Sequence, residues 1–171
     1  MLFRSDQNFW IKGMQAALKD PKYKDLKLVE IVYGNDDQQK SMREAESLLT
    51  KHPNLNGILA PTSVGLTAAA QVIETKKKAD KIAVTGLGLP SQMSKYIQNG
   101  TVKKFALWNP KDEGYLAGYL LNGMVSGKIK PAPGVTFDAG TLKERKFGEK
   151  NVVVSGDPLV FDKSNIGQFR F

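Results

Sequence analysis

Cysteine is absent from this chain, and histidine occurs once, at position 52. The first absence excludes disulfides, thiolate metal sites and a cysteine nucleophile. The second removes any pair of histidines at metal-ligand spacing, so no metal site is expected. His52 stands between Lys51 and Pro53 at an expected helix C-terminus, where it reads as a cap rather than a general base. No nucleophile elbow is present either. The expectation is therefore a protein without catalysis and without a bound cofactor. No apolar run approaches the ~20 residues that a membrane helix needs, and residues 1–6 do not form a signal peptide. Internal repeats and low-complexity tracts are missing as well.

Acidic residues are outnumbered, 17 against 25 Lys and Arg, which gives a formal charge of +8. Such an excess raises nucleic acid as a partner, because clustered cations release counterions from phosphates. The basic residues are spread, however, over Lys19, Lys22, Lys24 and Lys27, then Lys76, Lys77 and Lys78, Lys103 and Lys104, and Lys143, Arg145, Lys146 and Lys150. The triple lysine falls at an expected helix C-terminus, where cations are favoured. No nucleic-acid partner is expected.

What is present is a rhythm. Trp10, Met14, Ala17 and Leu18 follow Asp6, a plausible N-cap, at helical spacing until Pro21. Residues 26–33 then read as a strand, and a helix from Asp37 carries Met42, Ala45, Leu48 and Leu49 inward. Residues 57–60 form the next strand, and Thr62 or Ser63 caps a helix that is apolar almost all round. The pattern repeats with a strand at 82–85 and a helix ending at Gly100, and closes with a strand through Phe105 and Leu107. Short apolar strands alternating with helices predict an α/β fold, a doubly wound parallel sheet with helices on both faces. From about residue 128 the pattern changes to short strands at 135–137, 152–154 and 159–161, with a small turn at 164–166.

In such sheets ligands bind past the carboxyl ends of the strands. Those positions are Asn35 and Asp36, then Pro61, Thr62 and Ser63, the loop from Gly86 through Gly88 to Pro90, and Trp108 with Asn109. Trp108 read locally is most simply a core residue; beside Asn109 it also has sugar-recognition chemistry, a flat apolar ring for C–H faces and an amide that donates to and accepts from hydroxyls. Asp6, Gln7 and Asn8 add a carboxylate and two amides at one helix start, a set that suits a polyol. Gly86-Leu87-Gly88 lacks the third glycine of a dinucleotide fingerprint, Pro90 intervenes, and no acidic residue follows at the right distance, so these glycines let a tight turn approach a ligand or a neighbouring loop, with Gly88 as the expected ligand contact.

The motifs Asp6-Gln7-Asn8-x-Trp10, Tyr33-Gly34-Asn35-Asp36-Asp37, Ile58-Leu59-Ala60-Pro61-Thr62, Gly86-Leu87-Gly88-x-Pro90-x-x-Met93, Gly100-Thr101-Val102-Lys103, Ala106-Leu107-Trp108-Asn109-Pro110 and Val160-Phe161-Asp162-Lys163-x-Asn165-Ile166 run through nearly the whole chain. In order and spacing they resemble the periplasmic-type sugar-binding proteins of ABC transporters, in the branch that holds rhamnose-binding and autoinducer-2-binding proteins. The resemblance implies a type I periplasmic binding protein-like fold of two doubly wound lobes joined by three crossing strands and closing on ligand by a hinge. It implies that residues 1–108 are the C-terminal ligand-binding lobe, that 109–150 belong to an N-terminal lobe absent here, and that 151–171 return to the C-terminal lobe. On that alignment the chain starts at the first crossing, truncated at its N-terminal side, and residues 2–5 depart from the family and read as foreign sequence.

By the same resemblance Asp6 and Gln7 match ligand-contacting positions, Pro61 and Ser63 match a loop facing the ligand, and Trp108 and Asn109 lie on the second crossing. Asp6-Gln7 leans to the autoinducer-2 type, whereas the Gly-Leu-Gly loop and Trp-Asn-Pro lean to rhamnose; Ser63 departs from the former. The implied function is the solute-binding component of an ABC importer, holding a small sugar such as a rhamnose-like deoxysugar or an autoinducer-2-like polyol in an interlobe cleft, without chemistry. Its partners would be the sugar and the permease, and its location periplasmic or, lipid-anchored, extracellular. The helix from Asp112 has almost no polar face, so Tyr115, Leu116, Tyr119 and Leu120 are expected to drive self-association. The rival readings are the effector domain of a sugar-responsive repressor and a nucleotide-dependent enzyme.

Overall fold

The computed structural model describes the backbone of residues 5–171 and side chains from Gln7 onward. The expectation for Leu2, Phe3 and Arg4, and any contact of the Asp6 side chain, lie outside the described residues. Helix α1 spans Ser5–Ala17, so Asp6 falls inside the helix rather than at its cap. The order continues as α2 (Gln38–Lys51), β1 (Gly57–Ala60), α3 (Ser63–Thr75), β2 (Ala83–Gly86), α4 (Pro90–Gln98), β3 (Phe105–Leu107), α5 (Pro110–Val125), β4 (Thr136–Asp138), β5 (Glu144–Lys146) and β6 (Leu159–Phe161). This is an α/β fold with a parallel sheet.

The chain divides into two compact units: residues up to Ala106 together with Val160–Phe171, and Leu107–Leu159. In the first, β1 and β2 pair in parallel from Gly57 opposite Ala83 to Ala60 opposite Gly86. A parallel bridge from Leu87 to Ala106 carries the same direction on to β3. α3 packs on both strands, on α2 and on α4. Because α3 is apolar on nearly every side, it is the buried centre of this unit: Leu66, Ala68, Ala70 and Ile73 are fully enclosed. Phe161 stacks on Phe105 at 4.9 Å and meets Phe169 edge-on at 4.9 Å, which seats β6 against β3.

Residues 26–33, expected as a strand, belong to no strand: among the described residues no strand lies beside β1 except β2. Leu26 stays 61% exposed. The segment is held by a side chain instead of a ladder. The Glu30 carboxylate accepts from Lys51 Nζ at 2.9 Å and lies 2.8 Å from His52 Nε2, at the end of α2. Those two bonds hold Glu30 below the usual carboxylate range, Lys51 contributing most. His52 is indeed the C-cap residue of α2, its N–H donating to Leu48 O.

The second unit lays one face of α5 on a small antiparallel sheet, β4 with β5. Leu116, Ile129, Phe137, Ala139 and Phe147 form its core, with Tyr119, Leu120, Leu142 and Val153 packed around them. Of the four residues expected to drive self-association, Tyr115 is exposed and the other three pack inward. Leu116 is buried, Tyr119 and Leu120 lie against the unit's own core, and the Tyr115 hydroxyl accepts from Thr141 N at 3.4 Å. On the outward side of α5 the exposed apolar side chains are Tyr115, at 39%, Met124, at 45%, Leu121, at 65%, and Val125, at 81%. Residues 152–154 form no strand; a single bridge joins Phe147 to Val153.

Candidate functional site

Parallel pairing puts the exits of β1 and β2 side by side. Past β1 the chain bends at Pro61, and Thr62 caps α3, its Oγ1 accepting from Gly65 N at 2.9 Å. The Thr62 hydroxyl is therefore committed as acceptor to the cap. Ser63 opens the helix, and its carbonyl accepts from Thr67 Oγ1 at 2.9 Å. Pro61, Thr62 and Ser63 are all half-buried.

Past β2 the chain must pass very close to β1. Gly86 has φ +147°, and a Cβ there would strike the carbonyl of Ala60, which explains the glycine without any ligand. Leu87 N donates to that carbonyl at 2.9 Å. Gly88 is buried: its N–H donates to Ala106 O at 3.2 Å, and a Cβ would lie 2.8 Å from both Leu66 Cδ2 and Met93 Cγ. Gly88 thus faces the core and fixes the loop.

Two polar residues that sequence reasoning missed stand at the same edge. Pro90 starts α4, so Ser91 and Gln92 belong to its first turn; Ser91 N donates to Phe171 O at 3.0 Å, and the exposed Gln92 side chain accepts from Thr67 Oγ1 at 3.3 Å. Their signal was positional: a Pro at helix position N1 makes the next two residues part of the sheet's carboxyl edge.

Trp108 and Asn109 follow β3 directly and belong to the second unit. Trp108 is 37% exposed, so it is not a core residue. Asn109 is the N-cap of α5: its Oδ1 accepts from Lys111 N at 3.1 Å and its Nδ2 donates to Asp112 Oδ2 at 2.7 Å. The amide's second lone pair and second N–H remain beyond those two bonds. Gln7 is half-buried and Asn8 exposed on α1. Among the described residues no side-chain hydrogen bond joins Gln7 or Asn8 to the β1 and β2 loops.

The edge has a definite electrostatic character. From 57 to 73 and from 82 to 94, the stretches that build β1, all but the last turn of α3, β2 and the start of α4, there is no Asp, Glu, Lys or Arg. Hydroxyls, amides and the first N–H groups of α3 and α4 are what these stretches offer. Such stretches suit a neutral hydroxylated molecule. Among the described residues no cluster of His, Asp and Glu could hold a metal ion.

A family model described as the periplasmic binding protein domain matches residues 1–129. A sugar ABC transporter protein from Actinomyces odontolyticus is 44% identical, with TM-score 0.88, over 100% of this chain and 55% of that one. An ABC transporter solute binding protein from Clostridium phytofermentas, solved with bound L-rhamnose, is 35% identical with TM-score 0.84 over 97% of this chain and 56% of its own. LsrB from Clostridium saccharobutylicum, in complex with AI-2, is 23% identical with TM-score 0.79 over 97% and 56%, a likeness of fold. The chain spans about half the length of these proteins.

Proposed function

The chain belongs to the periplasmic binding protein domain family, and on that premise we propose that it carries part of the sugar site of an ABC importer's solute-binding protein. The observation that carries the reading is the uncharged carboxyl edge of β1 and β2, flanked in sequence by the exposed Trp108. A pyranose or furanose presents hydroxyls and apolar C–H faces but no charge, and this edge presents the complement of each. Pro61, Ser63 and Gln92 supply polar contact on the first unit, and Trp108 and the spare valences of Asn109 supply ring and amide. Gln7 and Asn8, with Asp6, are proposed as further contacts from the start of α1. Thr62 and Gly88 act as positioning residues, one capping α3 and the other letting the loop close on Met93 and Leu66.

A deoxysugar of the rhamnose kind is the proposed ligand, with an autoinducer-2-like polyol the second choice. The partner is then the membrane permease, and the location periplasmic or the outer cell surface. The lobe assignment of residues 1–108, 109–150 and 151–171 is part of the same proposal. The transporter proteins at 44% and 35% identity favour it over a repressor's effector domain. The test is a thermal-shift and calorimetric screen of the protein with L-rhamnose and a panel of monosaccharides. At least one should raise the melting temperature and bind saturably, and Trp108→Ala should weaken that binding ~10-fold, the loss of one ring contact. Failure of every sugar, or indifference to Trp108→Ala, overturns the assignment.

A further inference from the structure

The opposite edge of the same sheet has the opposite chemistry. β1, β2 and the start of β3 run in one direction, so each helix ends, and each strand begins, at the amino edge. Between α3 and β2 that edge carries Lys77, Lys78 and Lys81, and before β3 it carries Lys103. Lys163, just past β6, joins them: with Lys103, Val102 and Asp162, the acid paired with Lys104, it lines an open recess of ≈ 380 Å³. Neighbouring lysines are neutralised, Lys76 by Glu46 at 3.1 Å and Lys104 by Asp162 at 3.7 Å, and Glu74 is taken by Lys95. Among the described residues the first five have no ion pair, and Asp80 is the acid left in their loop.

The field of a helix C-terminus accounts for cations directly after α3. It does not account for Lys81, Lys103 or Lys163, which stand next to strands. We propose that this lysine edge docks the first unit on a membrane surface of acidic phospholipids, with the uncharged edge turned away from it. The composition selects that partner. Residues 76–81 and 99–104 contain no arginine and no aromatic side chain. Bidentate phosphate recognition uses arginine forks, and nucleic-acid binding adds aromatic stacking; a row of hydrated ammonium groups instead suits a planar field of phosphates without shape. The proposal is independent of which sugar, if any, the other edge binds.

Co-sedimentation of the protein with vesicles of phosphatidylglycerol and phosphatidylcholine, against phosphatidylcholine alone, tests it. Binding to the acidic vesicles alone, lost in high salt, is expected. Combining Lys77→Glu, Lys78→Glu, Lys81→Glu, Lys103→Glu and Lys163→Glu should lower it at least ~10-fold, given the several-fold worth of each lysine near an anionic surface. The same number of Lys→Glu changes in the second unit, at Lys128, Lys130, Lys143, Lys146 and Lys150, should leave it within ~3-fold. A Lys→Gln series at the same five edge positions keeps the test valid if the Glu variant does not fold, and should also weaken binding. Equal losses in both sets would reduce the effect to net charge and overturn the proposal. So would absence of binding to acidic vesicles, equal binding to neutral ones, or tighter binding to duplex DNA than to the vesicles.

Discussion

The two units bury their apolar side chains by different means. The first surrounds one helix: α3 is enclosed by the β1 and β2 ladder, α2 and α4, and its alanines let those neighbours come close. The second covers one face of one helix, setting α5 on the Phe137 and Phe147 pair, whose rings lie 5.0 Å apart, while Leu121 and Val125 stay in solvent. Enclosure demands close approach, and around α3 the first unit meets that demand with glycines and alanines, while Tyr96, Phe105 and Phe161 fill the rest of its core. Single substitutions should therefore be felt unequally in the two.

The largest effect is expected where the first unit's strands touch. Gly86→Val combines a forbidden φ with a collision at Ala60 O, and should cost ~4 kcal/mol or prevent cooperative unfolding. Gly127→Ala, also at positive φ but with open space around it, should cost only ~1 kcal/mol. Chemical denaturation of the pair measures the contrast, and equal costs would break it. Next comes Phe161→Ala, which removes a fully buried ring stacked on Phe105 and should cost ~3–5 kcal/mol. Phe137→Ala in the second unit should fall at the lower end of that range, because Phe137 is less completely enclosed and the smaller unit can relax around it. A larger loss from Phe137→Ala would reverse the ranking of the units.

Smaller still is Thr62→Ala, which strips the α3 cap and should lower stability by ~1 kcal/mol. The least effect belongs to Glu30. Its carboxyl is held below its ordinary value of 4.5 by Lys51 first and His52 second, so the stability it contributes is present above that value and lost as pH falls through the lower folded-state pKa. Denaturation midpoints followed from pH 6 to pH 3 should thus fall less steeply for Glu30→Gln than for the parent. Identical slopes would mean that residues 26–33 are not held by this carboxylate.

How much of this was legible in the sequence depended on whether a residue's partner was near in the chain. The α3 cap at Thr62, the capping role of His52 and the strand at β3 follow from neighbours within a few positions, and all are found in the structure. The strand expected at 26–33 had the right residue types but no neighbour to pair with, and pairing is a long-range fact. Gly88 was legible as a glycine needed for closeness; that Leu66 and Met93, from distant positions, are what a side chain there would meet was not. Asn109 shows the same limit within a site: its amide suits a sugar and a helix cap alike, and the cap bonds to Lys111 and Asp112 appear only once α5 has a start.

The central claim is that the uncharged edge formed by the exits of β1 and β2 receives a neutral hydroxylated ligand. Amide chemical-shift mapping of the protein titrated with L-rhamnose and related monosaccharides tests it most directly. The account predicts saturable shifts concentrated at Thr62, Ser63, Ser91 and Gln92, and none at Lys77, Lys81 or Lys103. Shifts centred on the lysines, or no saturable response to any sugar in the panel, would contradict it.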